Sequence, residues 1–149
     1  MIRLSLRFFA SRVLKTKRMD ESDRTTLQRI IFSDGVRSRV EVEVLLQLSR
    51  AVKPIDPAWA DFVTTSIVDF AVWGSRPTGY VDQDMANWLI AVLSDGGTTP
   101  LTRRIAREIA KEAQHADRRF AEFARPWYYP RLSWLKWSGP VEQQTWVPA

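Results

Sequence analysis

Two nine-residue stretches of this chain follow one pattern: Leu27-Gln28-Arg29-Ile30-Ile31-Phe32-Ser33-Asp34-Gly35 and, 61 positions on, Trp88-Leu89-Ile90-Ala91-Val92-Leu93-Ser94-Asp95-Gly96. In each, an apolar run with helical spacing ends in Ser-Asp-Gly, a helix stop followed by a turn. A stop signal used twice at one interval predicts two copies of a helix, Asp-Gly turn, helix unit packed as one body. The expected fold class is therefore all-α: a compact helical bundle of two pseudo-symmetric units.

The helix boundaries are well signalled. Asp20 can cap a first helix with Leu27, Ile30 and Ile31 on its inner face. Ser38-Arg39-Val40-Glu41 reads as a capping box ahead of Val44, Leu45, Leu48 and Val52. Val40-Glu41-Val42-Glu43-Val44 alternates as a strand would, but the box and the leucines that follow favour helix. Asp56 and Pro57 open a helix that places Trp59, Phe62, Val63, Ser66, Ile67, Phe70 and Trp73 on one face, up to Gly74. Ser75-Arg76-Pro77-Thr78-Gly79-Tyr80 is a loop by composition and the expected hinge between the copies. Asp82 starts the second copy, Thr99 and Pro100 open its partner helix with Leu101, Ile105 and Ile109, and a shorter helix with Phe120 and Phe123 ends near Ala124.

Charge separates this body from two arms. Residues 1–18 carry six basic groups and no acid, residues 19–124 carry 13 basic against 16 acidic, and residues 125–149 carry three against one. The domain plan is thus a basic amphipathic segment at 1–18, a helical bundle at 19–124 and an aromatic, proline-rich tail at 125–149. Ile2, Leu6, Phe9 and Val13 recur at helical spacing among Arg3, Arg7, Arg12 and Lys15, so these cations are the candidates for meeting a membrane surface or an acidic partner. The same Arg-rich, acid-free composition also describes an organelle transit peptide, although cleavage is not expected. The expected location is cytoplasmic and peripheral on the inner face of a membrane, with the mitochondrial matrix as the alternative. No apolar run reaches the roughly 18 residues that cross a bilayer.

The tail holds four of the seven tryptophans. Trp127, Tyr128, Tyr129, Arg131, Trp134, Trp137 and Trp146 are its candidate partner-binding residues, since Trp, Tyr and Arg anchor interfaces. With Lys136 they could instead stack on unpaired bases, sit at a lipid headgroup boundary, or fold back on the bundle. A protein partner in a larger assembly is the leading expectation and a membrane surface stays open; neither nucleic acid nor a small-molecule substrate is expected.

The order Ser33-Asp34-Gly35, Pro57-Ala58-Trp59-Ala60-Asp61-Phe62-Val63, Pro77-Thr78-Gly79-Tyr80-Val81-Asp82, Trp88-Leu89-Ile90 and Asp95-Gly96 resembles the TerB-like proteins, small all-helical relatives of a tellurite-resistance protein. The resemblance covers roughly residues 20–124 and neither arm. It implies a compact pseudo-symmetric bundle without established catalysis, with roles in stress-response or membrane-associated assemblies, and metal binding by acidic residues near the Asp-Gly turns. By position those are Asp34 and Asp95, and a metal-responsive stress protein is the alternative function. This chain departs from the pattern there: Val36-Arg37-Ser38-Arg39 brings arginines to the first turn and Gly97-Thr98-Thr99-Pro100 follows the second.

Elementary site chemistry points the same way. Taken as a calcium loop, Asp34-Gly35 in the fifth and sixth positions would put Glu41 in the twelfth but Ile30 in the first, a poor cage. The chain has no cysteine and one histidine, His115, which excludes thiolate metal sites, thiol catalysis and two-histidine metal motifs. Gln114-His115-Ala116-Asp117 looks like a helix junction, and Asp82 and Asp84 stand where carboxylates favour a helix start. No phosphate-binding loop is present. A non-enzymatic protein without cofactor is expected, with its function in the two arms.

Overall fold

The computed structural model describes residues 4–53 and 55–128. The protein is all-α: among the described residues, seven α-helices carry the structure and the β content is one pair of two-residue strands. The chain divides between Ser75 and Arg76 into two compact units. That boundary falls in the loop marked by composition.

Unit 1 contains α1 (Leu4–Thr16), α2 (Glu21–Thr26) continuing into a π-turn (Leu27–Ile31), α3 (Arg39–Ala51), and α4 (Pro57–Val68) continuing into a second π-turn (Asp69–Trp73). Unit 2 contains β1 (Tyr80–Val81), α5 (Gln83–Ser94), α6 (Pro100–Glu112), β2 (His115–Ala116) and α7 (Arg118–Tyr128). In unit 1, α1 packs on α3 and the first π-turn, and α3 on α4; in unit 2, α5, α6 and α7 all touch one another.

The repeat reaches further than the nine-residue echo. The starts of α3 and α6 lie 61 residues apart (39 and 100), as do those of α4 and α7 (57 and 118). Their caps keep the interval. Ser38 Oγ accepts from the Glu41 N–H at 3.3 Å and Thr99 Oγ1 from the Thr102 N–H at 3.1 Å. Asp56 accepts from the Ala58 N–H and Asp117 from the Arg119 N–H, both at 3.0 Å. Two residues into the third helix, Trp59 and Phe120 are both buried, and each meets an aromatic one turn on: Trp59 and Phe62 at 5.6 Å, Phe120 and Phe123 at 6.0 Å. Each copy is therefore a three-helix unit. Between the first two helices, Gly35 and Gly96 take φ of +84° and +71°, the left-handed region where a side chain is strained.

The first helix breaks the interval by one residue. Its caps, Asp20 and Asp82, are 62 apart, and so are the fully buried Leu27 and Leu89. The π-turn absorbs the difference: the Phe32 N–H donates to the Leu27 carbonyl five residues back, at 2.8 Å, which fits one more residue into the helix than α geometry allows. Ile30, expected on the inner face, is consequently turned outward and is 70% exposed. The second π-turn has the same effect on Trp73: it too was expected inside, yet Ala71 and Val72 are buried and Trp73 is exposed. In α5 the buried positions are Met85, Ala86, Leu89 and Leu93, while Trp88 is only half-buried and Ala91 is exposed.

The β pair lay outside the sequence expectation. β1 and β2 run parallel, Tyr80 opposite His115 and Val81 opposite Ala116. The Gly79 carbonyl accepts from the N–H groups of Gln114 (2.8 Å) and His115 (3.1 Å), and the Val81 carbonyl from that of Asp117 (2.7 Å). Gly79, at φ +83°, is buried so closely on Gln114 that a Cβ would lie 3.0 Å from its side chain. The bridge thus ties the chain entering α5 to the junction between α6 and α7.

Candidate interaction surface

The acid-free N-terminal segment folds as α1, and its apolar spacing decides which side faces inward. Leu6, Phe9, Ala10 and Val13 fall within one stripe at 100° per residue, and all four are buried. Ile2, expected on the same face, lies outside the described residues. The apolar face of this segment is therefore spent on unit 1. Lys17 ends the helix at φ +57°, with its N–H on the Val13 carbonyl at 2.6 Å, a left-handed stop at a position that usually holds glycine.

The connection to α2 is fastened by polar contacts. Asp20 and Asp23 form a reciprocal capping box, the Asp23 N–H on Asp20 at 2.8 Å and the Asp20 N–H on Asp23 at 3.2 Å. Arg12 donates from α1 to the same Asp23 carboxylate at 2.7 Å, and its guanidinium lies 5.1 Å from the Phe9 ring centroid. Burial alone would raise the pKa of Asp23, but hydrogen bonds from Arg12 and the Asp20 backbone, with the charge of Arg12, outweigh it and hold the carboxyl below its ordinary value. Arg24 extends this polar seam to the α4 cap, 3.6 Å from Asp56.

The opposite side of α1 is its free surface. Phe8 stands there 71% exposed, between exposed Arg7, Arg12 and Lys15. Of the basic residues predicted to make contact, Arg7, Arg12 and Lys15 thus share the outer surface of one helix, with Arg12 also engaged inward by Asp23; Arg3 lies outside the described residues. Sequence reasoning missed Phe8. The signal was the adjacent Phe8-Phe9 pair: neighbours in a helix point 100° apart, so only one could join the Leu6, Phe9 and Val13 stripe.

Other predicted positions have local roles. Asp34 is ion-paired with Arg37, whose backbone N–H is bound 2.8 Å away by the buried Glu41. Asp95 is the exposed residue after α5. Among the described residues no three His, Cys, Asp or Glu side chains gather where a metal ion could be held. Asp82 caps α5 through the Met85 N–H at 2.8 Å. His115 sits in β2 with its ring 5.3 Å from that of Tyr80. Buried Ser49 takes the indole N–H of Trp59 at 3.0 Å and donates to the Leu45 carbonyl at 2.8 Å, joining α3 to α4.

The tail begins later than composition indicated. α7 continues through Pro126 to Tyr128, so Trp127 and Tyr128 belong to a helix. Proline withdraws one N–H from the helix without ending it here. An ion pair between Arg118 and Glu122, at 3.1 Å, supports the first turns. Tyr129, Arg131, Trp134, Trp137 and Trp146 lie outside the described residues. No helix among the described residues is long and apolar enough to cross a membrane. No family model, no curated protein and no solved structure matches the chain.

Proposed function

We propose that the protein is a non-catalytic accessory subunit, a pair of TerB-like helical units held to a larger protein assembly by the outer ridge of α1 and the aromatic stretch from Trp127 to Trp146. The observation that carries this reading is Phe8, 71% exposed on a helix that buries Leu6, Phe9 and Val13. An aromatic side chain left in water among arginines is the composition of an interface anchor. Buried polar groups with assigned partners serve the fold: Glu41 and Thr102 complete helix starts, and Ser49 binds Trp59.

Gentle purification of the native protein, followed by measurement of complex mass, tests the proposal. Phe8→Glu combined with removal of residues 129–149 should leave a helical protein that elutes at the mass of the free chain. A complex of unchanged mass in that variant would refute it.

A further inference from the structure

The second helices of the two units differ along one ridge. In α3 that ridge is Val42, Leu46 and Arg50; at the same interval of 61, α6 has Arg103, Arg107 and Lys111. Val44, Leu45 and Leu48 are buried in α3 and so are their counterparts Ile105, Ala106 and Ile109 in α6, which marks the side that both units cover alike. Val42 and Leu46 are buried in unit 1 alone, whereas Arg103 and Lys111 are exposed and Arg107 half-exposed. Unit 1 has one helix that unit 2 lacks, α1, and α1 packs on α3. The ridge is thus where unit 1 seats its additional helix. In α6 the spacing of four residues gathers the three cations within about 80° of arc and about 12 Å of helix length. Such like-charge neighbours weaken the helix that carries them. Glu108 stands 3.3 Å from Arg107 and 3.8 Å from Lys111, and Arg103 Nε donates to the neutral Thr98 Oγ1 at 3.2 Å.

We propose that the ridge of Arg103, Arg107 and Lys111 receives an acidic helix of a protein partner, seated on unit 2 as α1 is seated on unit 1. The proposal rests on the accessory-subunit reading for the class of partner and adds a surface to it. Charge complementarity selects the occupant, because carboxylates at helical spacing match cations at helical spacing. The chain's own segments lack that charge. α1 carries no acid, and residues 129–149 carry Arg131 and Lys136 against Glu142. The other acids of unit 2 limit the patch: Glu108 and Glu112 form the next ridge of α6, Asp95 precedes it in the turn, Asp117 and Asp82 cap α7 and α5, Asp84 opens α5, and Glu122 pairs with Arg118. A nucleic-acid backbone runs well beyond about 12 Å and would meet some of these acids, while about two turns of helix match the ridge alone.

The test is fluorescence anisotropy of the full chain with two labelled alanine-based helical peptides, one with Glu at i, i+4 and i+8 and one with Gln there, and with oligothymidylate. The Glu peptide should bind about tenfold more tightly than the Gln peptide, the combined effect of three exposed ion pairs. The Arg103→Gln, Arg107→Gln, Lys111→Gln variant should lose that preference while keeping its circular dichroism spectrum. Arg118→Gln with Arg125→Gln, which removes two cations of α7, should retain it, as should removal of residues 129–149. Equal affinity for the two peptides, a preference undiminished in the α6 variant, a preference lost in the α7 variant, or tighter binding of oligothymidylate than of the Glu peptide would each overturn the proposal. Complex mass after Phe8→Glu and removal of residues 129–149 is read separately, so failure of the ridge leaves the attachment through α1 and the tail standing.

Discussion

Unit 1 and unit 2 repeat one plan, and the instructive part is where they part company. Both have three capped helices, a glycine turn after the first and a buried aromatic two residues into the third. Only unit 1 adds α1, and it also adds a residue in its first helix. The second helices record the difference. In α3, Val42 and Leu46 are buried; their counterparts 61 residues on, Arg103 and Arg107, are exposed and half-exposed. Unit 2 keeps that side of its helix wet, while unit 1 has α1 as well as α4 against α3. The repeated elements build the scaffold, and the unrepeated ones, α1 and the π-turn, carry the exposed Phe8 and Ile30.

The strongest perturbation should fall on what the units share. Trp59→Ala and Phe120→Ala should each cost about 3–5 kcal/mol in urea denaturation, with the greater loss at Trp59, because Ser49 then loses its indole partner in a buried site. A loss confined to one of the two would break the equivalence. Next comes the extra residue. Deleting Ile30 should convert the π-turn into regular helix and keep one cooperative transition, since Leu27 and Phe32 then keep the spacing that Leu89 and Leu93 hold in α5. Deleting Ala91 should disrupt unit 2 by rotating Leu93 away from the core that Leu89 occupies. If both deletions behave alike, the π-turn is not an insertion.

The smallest effect concerns the seam of α1. Asp23 has its folded pKa below the ordinary value of 3.8, so its contribution is complete above that value and is lost as pH falls through the folded pKa. Asp23→Asn should lower stability at neutral pH by up to about 1 kcal/mol, a limit set by the exposure of Arg12. It should also flatten the fall in urea midpoint as the pH drops below about 4. An unchanged acid profile in the variant would remove Asp23 from the seam.

Fold class and helix starts were legible because they depend on local chemistry. Asp20, Ser38, Asp56, Asp82 and Thr99 cap helices where their types and spacing indicate. Both third helices were also legible, but not their equivalence, since Trp59 and Phe120 occupy one position with different side chains. The π-turns were illegible because periodicity assumes 3.6 residues per turn, and a single wider turn rotates every later position; Ile30 and Trp73 were misplaced for that reason. The β bridge depends on a pairing between Tyr80 and His115, distant in sequence, with only Gly79 as a hint. For the contact surface, the cations of the first helix were legible, whereas Phe8 needed the burial of Phe9 to define the outer side.

The central claim is that α1 is docked by one face and presents the other. Because the chain contains no cysteine, single thiols can report both faces without background. Ala10→Cys and Phe8→Cys should be compared for labelling rate with a maleimide under native conditions and again in urea. The account predicts that Cys at position 8 reacts as fast in the folded protein as in the unfolded one, and that Cys at position 10 is protected until unfolding. Equal, rapid labelling of both thiols in the native protein would contradict it.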